Sequence, residues 1–465
     1  MGTKAKEIFK TILLVVLVLI SIWLVFALWP ETSDSFKISD LFRFKQEEET
    51  IYDISEIIVP SEVSYCDENG KYYLPEDRST AFKELNKNIN SFCSLSETMV
   101  EEVSDDVYRK IKNSPGSLDF LFSFAVPFSE YCDMAGIKRG SGFESIEQFD
   151  EIIVSDSEPK NILLKDNQSS KYFLIISDAE ISAKKIINTQ ELKNTDINFE
   201  NIKDIMGEGD NRFIPFGNKD AARVAHIQNK ILDSTDEEKL TRELFGETFD
   251  FARRAVDANG NISYMYGYGQ KVLNIYKNGK IEYRAEGGSR SSNGILYDIG
   301  IAEEFLENIK NLSDAEDVEY HLSSVVKESN GKGYTTRLEY IESIGGKKIY
   351  SPENKYAISV EVENGIVVYY QKNSMKLSYY EAQPANAAKE LATVLAEKCE
   401  YIFNISTNEI PGNADQAYSF VCNNLKHAEL GYYSMENSLV LYPCWKISME
   451  TGNDIYFDFY SGEVF

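Results

Sequence analysis

Three histidines are the scarcest side chains suited to chemistry in this 465-residue chain: His226, His321 and His427. They lie far apart and none stands in a His-Glu-x-x-His or comparable motif, so spacing gives none of them a base or ligand role. His226, within 221–230, reads as part of one face of a helix. Six cysteines (Cys66, Cys93, Cys132, Cys399, Cys422, Cys444) fall three towards each end and form no Cys-x-x-Cys. Metal-site spacing is absent, and free buried thiols are the expected state, because cysteine packs as a small apolar residue. One bridge per half is the alternative outside the cell, leaving an odd thiol in each half. The Gly- and Ser-rich stretch 287–294 follows a strand and lacks the Gly-Lys-[Ser/Thr] end of a phosphate loop, so it reads as a flexible connection. No nucleophile elbow or dinucleotide fingerprint occurs. Among 75 acids no carboxylate pair stands out. These residues carry no enzymatic signature. No catalytic, metal-ligating or cofactor-binding residue is assigned, and no cofactor is expected.

The charge balance narrows the partners. Lys and Arg number 48 against 75 acids, a formal net charge of −27 with a pI near 4.6. Nucleic acid selects basic surfaces and is excluded as a partner. Broad contact with anionic lipid or wall polymers is disfavoured for the same reason. The acids are spread along the chain, as suits solubility of an exported domain.

One element must position everything else. Residues 12–29 form an unbroken apolar run whose one polar member is Ser21. As a helix it is about 27 Å long, close to the hydrocarbon thickness of a bilayer. Pro30 ends it, and no small-residue cleavage site follows, so an uncleaved single-pass anchor is expected. Lys4, Lys6 and Lys10 precede the run, and Lys37, Arg43 and Lys45 follow less closely. The leading lysines favour a cytoplasmic N-terminus. The candidate contacts to a membrane partner are Ile12, Leu13, Leu14, Val16, Leu17, Ile20, Ser21, Trp23, Leu24, Ala27, Leu28 and Trp29.

After a 30–50 stalk, 51–63 suggests strands broken at Pro60. Asn69-Gly70 marks a hairpin, and 80–95 a helix with Phe82, Leu85, Ile89 and Phe92 on one face. Strands are expected at 119–126, 160–165 and 171–176. Three later segments share a form: a strand, a tight turn at Asn278-Gly279, Asn364-Gly365 or Ser461-Gly462, and a second strand carrying Ile281, Val367 or Val464. Helical patterns precede them at 221–245, 301–312 and 385–403. The last clusters Leu391, Val394, Leu395 and Cys399. The expected divisions are a 1–11 cytoplasmic tail, the 12–29 anchor, the 30–50 stalk, a 51–213 α+β domain, and helix-plus-sheet units over 214–300, 301–381 and 382–465.

Four stretches carry a family resemblance: Asp53 to Ser61, Tyr264 to Tyr276 with Asn278-Gly279, Tyr340 to Tyr350 followed by Ala357 to Tyr370, and Leu441 to Ile447 closed by Tyr456 to Glu463. Together with one anchor and an acidic N-terminal domain, they resemble the YycH family, accessory regulators of the YycFG (WalRK) two-component system of Gram-positive bacteria. In the third stretch lysine stands where the family's Gly-x-Pro-Val has proline. The resemblance implies an α+β fold: one transmembrane helix, then an extracytoplasmic mixed domain and repeated helix-plus-antiparallel-sheet units of the PepSY or YycI kind. It also implies a location in the cell membrane, a sensor histidine kinase (WalK/YycG-like) as partner, a YycI-like protein as a possible second, and no enzymatic activity. The alternative is a membrane-tethered PepSY-like binding or inhibitor module for an envelope protease or extracellular ligand. For contacts outside the membrane, the candidate sheet edges are 366–371 and 455–459.

Overall fold

The computed structural model describes residues 53–68, 70–74, 77–95, 97–187, 198–209, 213–216, 222–287, 294–313, 318–329, 333–351, 357–373, 375–382, 388–435 and 438–465. The 12–29 run lies outside them. Among the described residues no helix is long and apolar enough to cross a membrane. The fold is mixed α and β, and apart from one pairing its named strands run antiparallel to their neighbours.

The N-terminal region folds around a seven-stranded sheet. Its strands are β1 (Glu62–Cys66), β2 (Tyr72–Tyr73), β3 (Thr98–Val103), β4 (Ser117–Pro127), β5 (Gln148–Ser155), β6 (Asn161–Asp166) and β7 (Lys171–Ser177), in the order β2-β1-β4-β5-β6-β7-β3. The Arg78–Leu95 helix covers one face, and Phe82, Leu85, Ile89 and Phe92 are all buried, as their spacing predicts. Phe82 sits 5.3 Å from Phe122 ring to ring, edge-on, and 6.3 Å from Phe120. The Asp105–Lys112 helix covers the other face, with Tyr108 and Ile111 on Ile153, Leu163 and Leu174. One expectation fails at the start. Residues 54–57 form a helical turn, because the Asp53 carboxylate accepts from the Ser55 N–H at 3.0 Å and caps it.

Residues 198–229 are divided between the first two expected units, yet they pack elsewhere. β8 (Asn198–Asn201) and β9 (Phe213–Phe216) pair together, and Ile202, Ile214 and Ala222 join the C-terminal core. β10 (Ala225–Asn229) pairs with strands near the end of the chain, so His226 lies on a strand and not on a helix face. Its ring stacks on Tyr379 at 4.5 Å and bonds the Glu381 carboxylate at 2.6 Å. The helix expected over 221–245 begins only at Ser234, where the Asp233 side chain accepts two backbone N–H bonds.

The remaining strands, together with β10, build one fourteen-stranded sheet. The Ser234–Phe245 helix is followed by β11 (Arg253–Val256), β12 (Ile262–Tyr266), β13 (Lys271–Ile275) and β14 (Lys280–Ala285), paired in sequence order. The Ile295–Ser313 helix is followed by β15 (Val318–Ser329), β16 (Tyr334–Ile344), β17 (Lys347–Tyr350), β18 (Ile358–Glu363), β19 (Ile366–Asn373) and β20 (Met375–Tyr380). Here β15-β16-β18-β19 run as neighbours, with β17 set aside. The Leu391–Glu397, Cys399–Thr407 and Ala414–Asn424 helices precede β21 (Leu425–Ser434), β22 (Val440–Met449) and β23 (Asp454–Asp458), again in order. The single helix expected over 385–403 is broken at Lys398, although Leu391, Val394, Leu395 and Cys399 are buried together. Each of the three matched turns follows the third strand of its run. Asn364 and Gly365 both hold positive φ, 51° and 76°, the backbone a two-residue hairpin turn needs. After Ser461-Gly462 the fourth strand is reduced to a bridge between Phe457 and Val464.

β17 joins the two halves of this sheet. It pairs with the end of β16 and runs parallel to β21 at Ile349↔Tyr432 and Tyr350↔Tyr433. The close approach needs Gly431: a Cβ there would lie 2.6 Å from the Tyr350 ring and 2.8 Å from the Lys348 carbonyl oxygen. Neither can retreat easily, because Tyr350 is buried and the carbonyl is backbone. Gly431→Ala is therefore expected to cost about 1–3 kcal/mol in urea unfolding, the range for overpacking a filled site. A surface glycine such as Gly452, with nothing within 4 Å, is the control, although its positive φ adds its own strain. Unchanged stability of Gly431→Ala would show that the β17–β21 contact is looser than described.

Candidate functional site

A cleft of about 1170 Å³ opens where three regions meet. The first wall comes from the N-terminal region: Glu62 of β1, Arg78 at the start of the Arg78–Leu95 helix, and residues 121–125 of β4, where the pairing with β5 breaks register. The second is the Ile295–Ser313 helix with β15. The third is formed by β17, β21 and β22. Ser123 in the β4 irregularity donates to the Leu322 carbonyl at 2.6 Å and ties the first wall to the second.

The third wall carries an ionic cluster. His427 Nδ1 lies 2.9 Å from Glu62 Oε2, across the gap between the N-terminal sheet and β21. Its Nε2 lies 3.7 Å from Glu429 Oε1. Glu429 is also held by Lys348 at 3.2 Å, by the Tyr350 hydroxyl at 2.5 Å and by Lys446 at 3.9 Å. Arg78 donates to the Ser61 carbonyl beside Glu62. Strand alternation explains the grouping. Lys348 and Tyr350 share one face of β17, and His427 and Glu429 lie two apart on β21. The β17–β21 pairing brings the two strands together.

The electrostatics follow from this geometry. Burial alone would lower the His427 pKa from its usual 6.5, but Glu62 and Glu429 outweigh burial and raise it to about 10. Burial opposes ionisation of Glu429, yet Lys348, His427 and Lys446 hold its pKa well below the usual carboxylate value. Glu62 is likewise lowered against its burial by the imidazolium. His321 lies in the same cleft and behaves oppositely. Burial, with the Arg78 and Lys348 charges, pushes it down to about 4, and its Nε2 sits 3.0 Å from the Ser343 hydroxyl. One cleft histidine is thus a cation and the other neutral. Two carboxyls on the other walls are raised by burial: Asp150 to about 6 against hydrogen bonds from Asn167, and Glu303 to about 7 against one from Tyr340.

The cluster acts as a clamp. Both of its carboxylates face cations, and the Glu62–His427 pair ties the N-terminal sheet to β21. The structure brings His321 and His427 together and leaves His226 apart on β10. Glu62, Arg78, Lys348, Glu429 and Lys446 have no sequence signal of their own, because pairing across units leaves no periodicity within any one of them. Both proposed sheet edges are corrected. β19 is an interior strand, flanked by β14 and β18. β23 is covered by the end of the chain, with Asp458 N–H bonding the Glu463 carbonyl at 2.7 Å and Phe465 N–H the Tyr456 carbonyl at 3.1 Å. The anchor residues between Ile12 and Trp29 lie outside the described residues. All six cysteines are buried and none is in a disulfide.

A double-mutant cycle tests the clamp. Glu62→Gln and His427→Gln should couple by about 1–3 kcal/mol in urea unfolding; some solvent exposure keeps the pair at the lower end. The pH dependence has a definite sign. A pKa raised from 6.5 to about 10 gives stability that is fully present below pH 6.5 and is lost progressively as pH rises to about 10. The coupling should therefore shrink across that range. Coupling that stays constant to pH 10 would exclude the imidazolium as its source.

Residues 7–206 match the family model described as YycH protein, N-terminal domain. No curated protein and no solved structure matches. The matched span takes in the 12–29 run, the seven-stranded sheet with its two covering helices, and Glu62 and Arg78 of the cleft. Residues 7–206 thus resemble the N-terminal domain of the YycH family.

Proposed function

We propose that this chain is a membrane-anchored, non-enzymatic regulator of a sensor histidine kinase of the YycG (WalK) type, with residues 31–465 outside the cytoplasm. The observation that carries this reading is the match of residues 7–206 to the YycH N-terminal domain. The apolar run falls inside that span and supplies the anchor. In this mechanism the anchor packs beside the transmembrane helices of the kinase and biases one of its packing states. A regulator of this kind can shift such an equilibrium only by its differential affinity for the two states. No bond is made or broken. Ser21 is the one internal polar group of the run and contributes about 1 kcal/mol if it bonds across helices. A YycI-like protein is a second partner in this reading. The clamp between the N-terminal sheet and β21 supports an external part whose two regions hold together.

Two experiments test the reading. Because the six native thiols are buried, an Asp178→Cys variant offers one exposed thiol. A membrane-impermeant maleimide should label it in intact cells; labelling only after permeabilisation would overturn the topology. Replacing residues 12–29 with an unrelated transmembrane helix should change kinase output while the protein stays folded and membrane-bound. Ser21→Leu should have a smaller effect, at most about 1 kcal/mol of association. Normal output from the swapped anchor would move the signal to the external part.

A further inference from the structure

The described sheet edges are treated unequally. The outer side of β3 is bonded by residues 140–142: Val100 N–H to the Ser141 carbonyl at 3.1 Å, and Ser141 N–H to the Thr98 carbonyl at 2.9 Å. β23 is covered by the chain end, and β15 is bonded by Ser123. β20 has a register irregularity against β10, a device that twists an edge away from partners, and it carries Lys376. β11 ends the fourteen-stranded sheet, and among the described residues no backbone bond caps its outer side. All four of its residues are exposed.

The register shows which groups this edge offers. Asp257 N–H bonds the Asn261 carbonyl at 3.0 Å, so 257 and 261 form a hydrogen-bonded pair. Such pairs recur every second residue in an antiparallel ladder, which turns Ala255 and Arg253 inwards to Ser263 and Met265. The N–H and C=O groups of Arg254 and Val256 therefore point outwards. Around them stand Phe251 (66% exposed), Val256 (54%), Met265 (46%) and Tyr268 (100%). Phe, Met, Tyr and Arg are the residue types enriched at protein interfaces.

We propose that β11 is a docking edge that takes an extended, acidic segment of another protein as an added strand. Charge selects this occupant. The Arg254 side chain is held by Glu237 at 2.8 Å, whereas Arg253, on the opposite face beside Met265, makes no ion pair among the described residues. A carboxylate on the incoming strand would meet Arg253, and its alternate apolar side chains would cover Val256. A second copy of this chain is the other possible occupant, and the test below separates the two. The inference rests on β11 alone and is independent of the kinase reading.

The test uses the purified full-length chain and two labelled peptides, Thr-Val-Glu-Val-Glu-Val-Thr and its lysine counterpart, followed by fluorescence anisotropy. The acidic peptide should bind at least about tenfold more tightly than the lysine one. Val256→Pro removes one outward donor and leaves the β11–β12 bonds intact. It should weaken the acidic peptide by about tenfold with an unchanged melting curve. If that variant misfolds, Arg253→Glu replaces it and should reverse the preference between the peptides. Absence of binding, equal binding of both peptides, or binding that these substitutions leave unchanged would overturn the proposal. So would a concentration-dependent dimer abolished by Val256→Pro, which would assign the edge to a second copy.

Discussion

Two residue pairs and one missing Cβ hold the larger sheet together. Ile349 and Tyr350 lie parallel to Tyr432 and Tyr433, and Gly431 leaves room for the Tyr350 ring and the Lys348 carbonyl. Without that approach the middle strands and the C-terminal strands would be separate sheets, each with a further exposed edge. The same approach sets Lys348 and Tyr350 against Glu429. Glu429 in turn helps to hold His427 as a cation for Glu62. Backbone contact thus precedes electrostatics. The ionic cluster is assembled by a strand pairing, and the N-terminal sheet is tied to that assembled surface.

An ion pair across such a junction has a particular use. Removing charges from water costs much of what their attraction returns, so a paired cluster adds modest net stability. It does penalise every arrangement in which one partner is left behind. An apolar contact between the same surfaces would tolerate sliding; a bidentate imidazolium between two carboxylates tolerates little. His321 shows that the environment sets the charge and not the residue type. It lies in the same cleft, but its neighbours are Arg78 and Lys348, and it stays neutral.

Much of the fold was legible in the sequence. The Arg78–Leu95 helix, β4, β6 and β7 follow their apolar periodicity, and in the turns at Asn278-Gly279 and Asn364-Gly365 the residues Gly279, Asn364 and Gly365 adopt positive φ. The misreadings share a physical cause. A helical turn at 54–57 depends on one aspartate cap, which outweighs the β-branched composition around it. His226 sits on a strand because β10 finds partners far away in sequence, at β20 and β22, and local pattern cannot report a distant partner. β19 resembles an edge when read alone and becomes interior only because β14 arrives beside it. The cleft was illegible for the same reason. Each of its charged residues is ordinary within its own strand, and only the β17–β21 pairing gives them a common address. Of the four stretches that carry the family resemblance, Asp53 to Ser61 falls within the matched residues 7–206, and the other three lie beyond them.

The cysteines carry a kinetic consequence. Cys66, Cys93 and Cys132 are buried in the N-terminal region, and Cys399, Cys422 and Cys444 near the C-terminal end. Burial keeps the titratable ones in the unreactive thiol form, with Cys93 and Cys422 both pushed up to about 11. An oxidant or alkylating reagent can reach these sulfurs only when the surrounding structure opens. Their rate of modification is then set by breathing motions and not by collision with the reagent. The molecule carries a clock at each end, while the stretch between Cys132 and Cys399 has no sulfhydryl to report. Ageing of its thiols, in whatever compartment it works, is governed by how often its two outer regions transiently open.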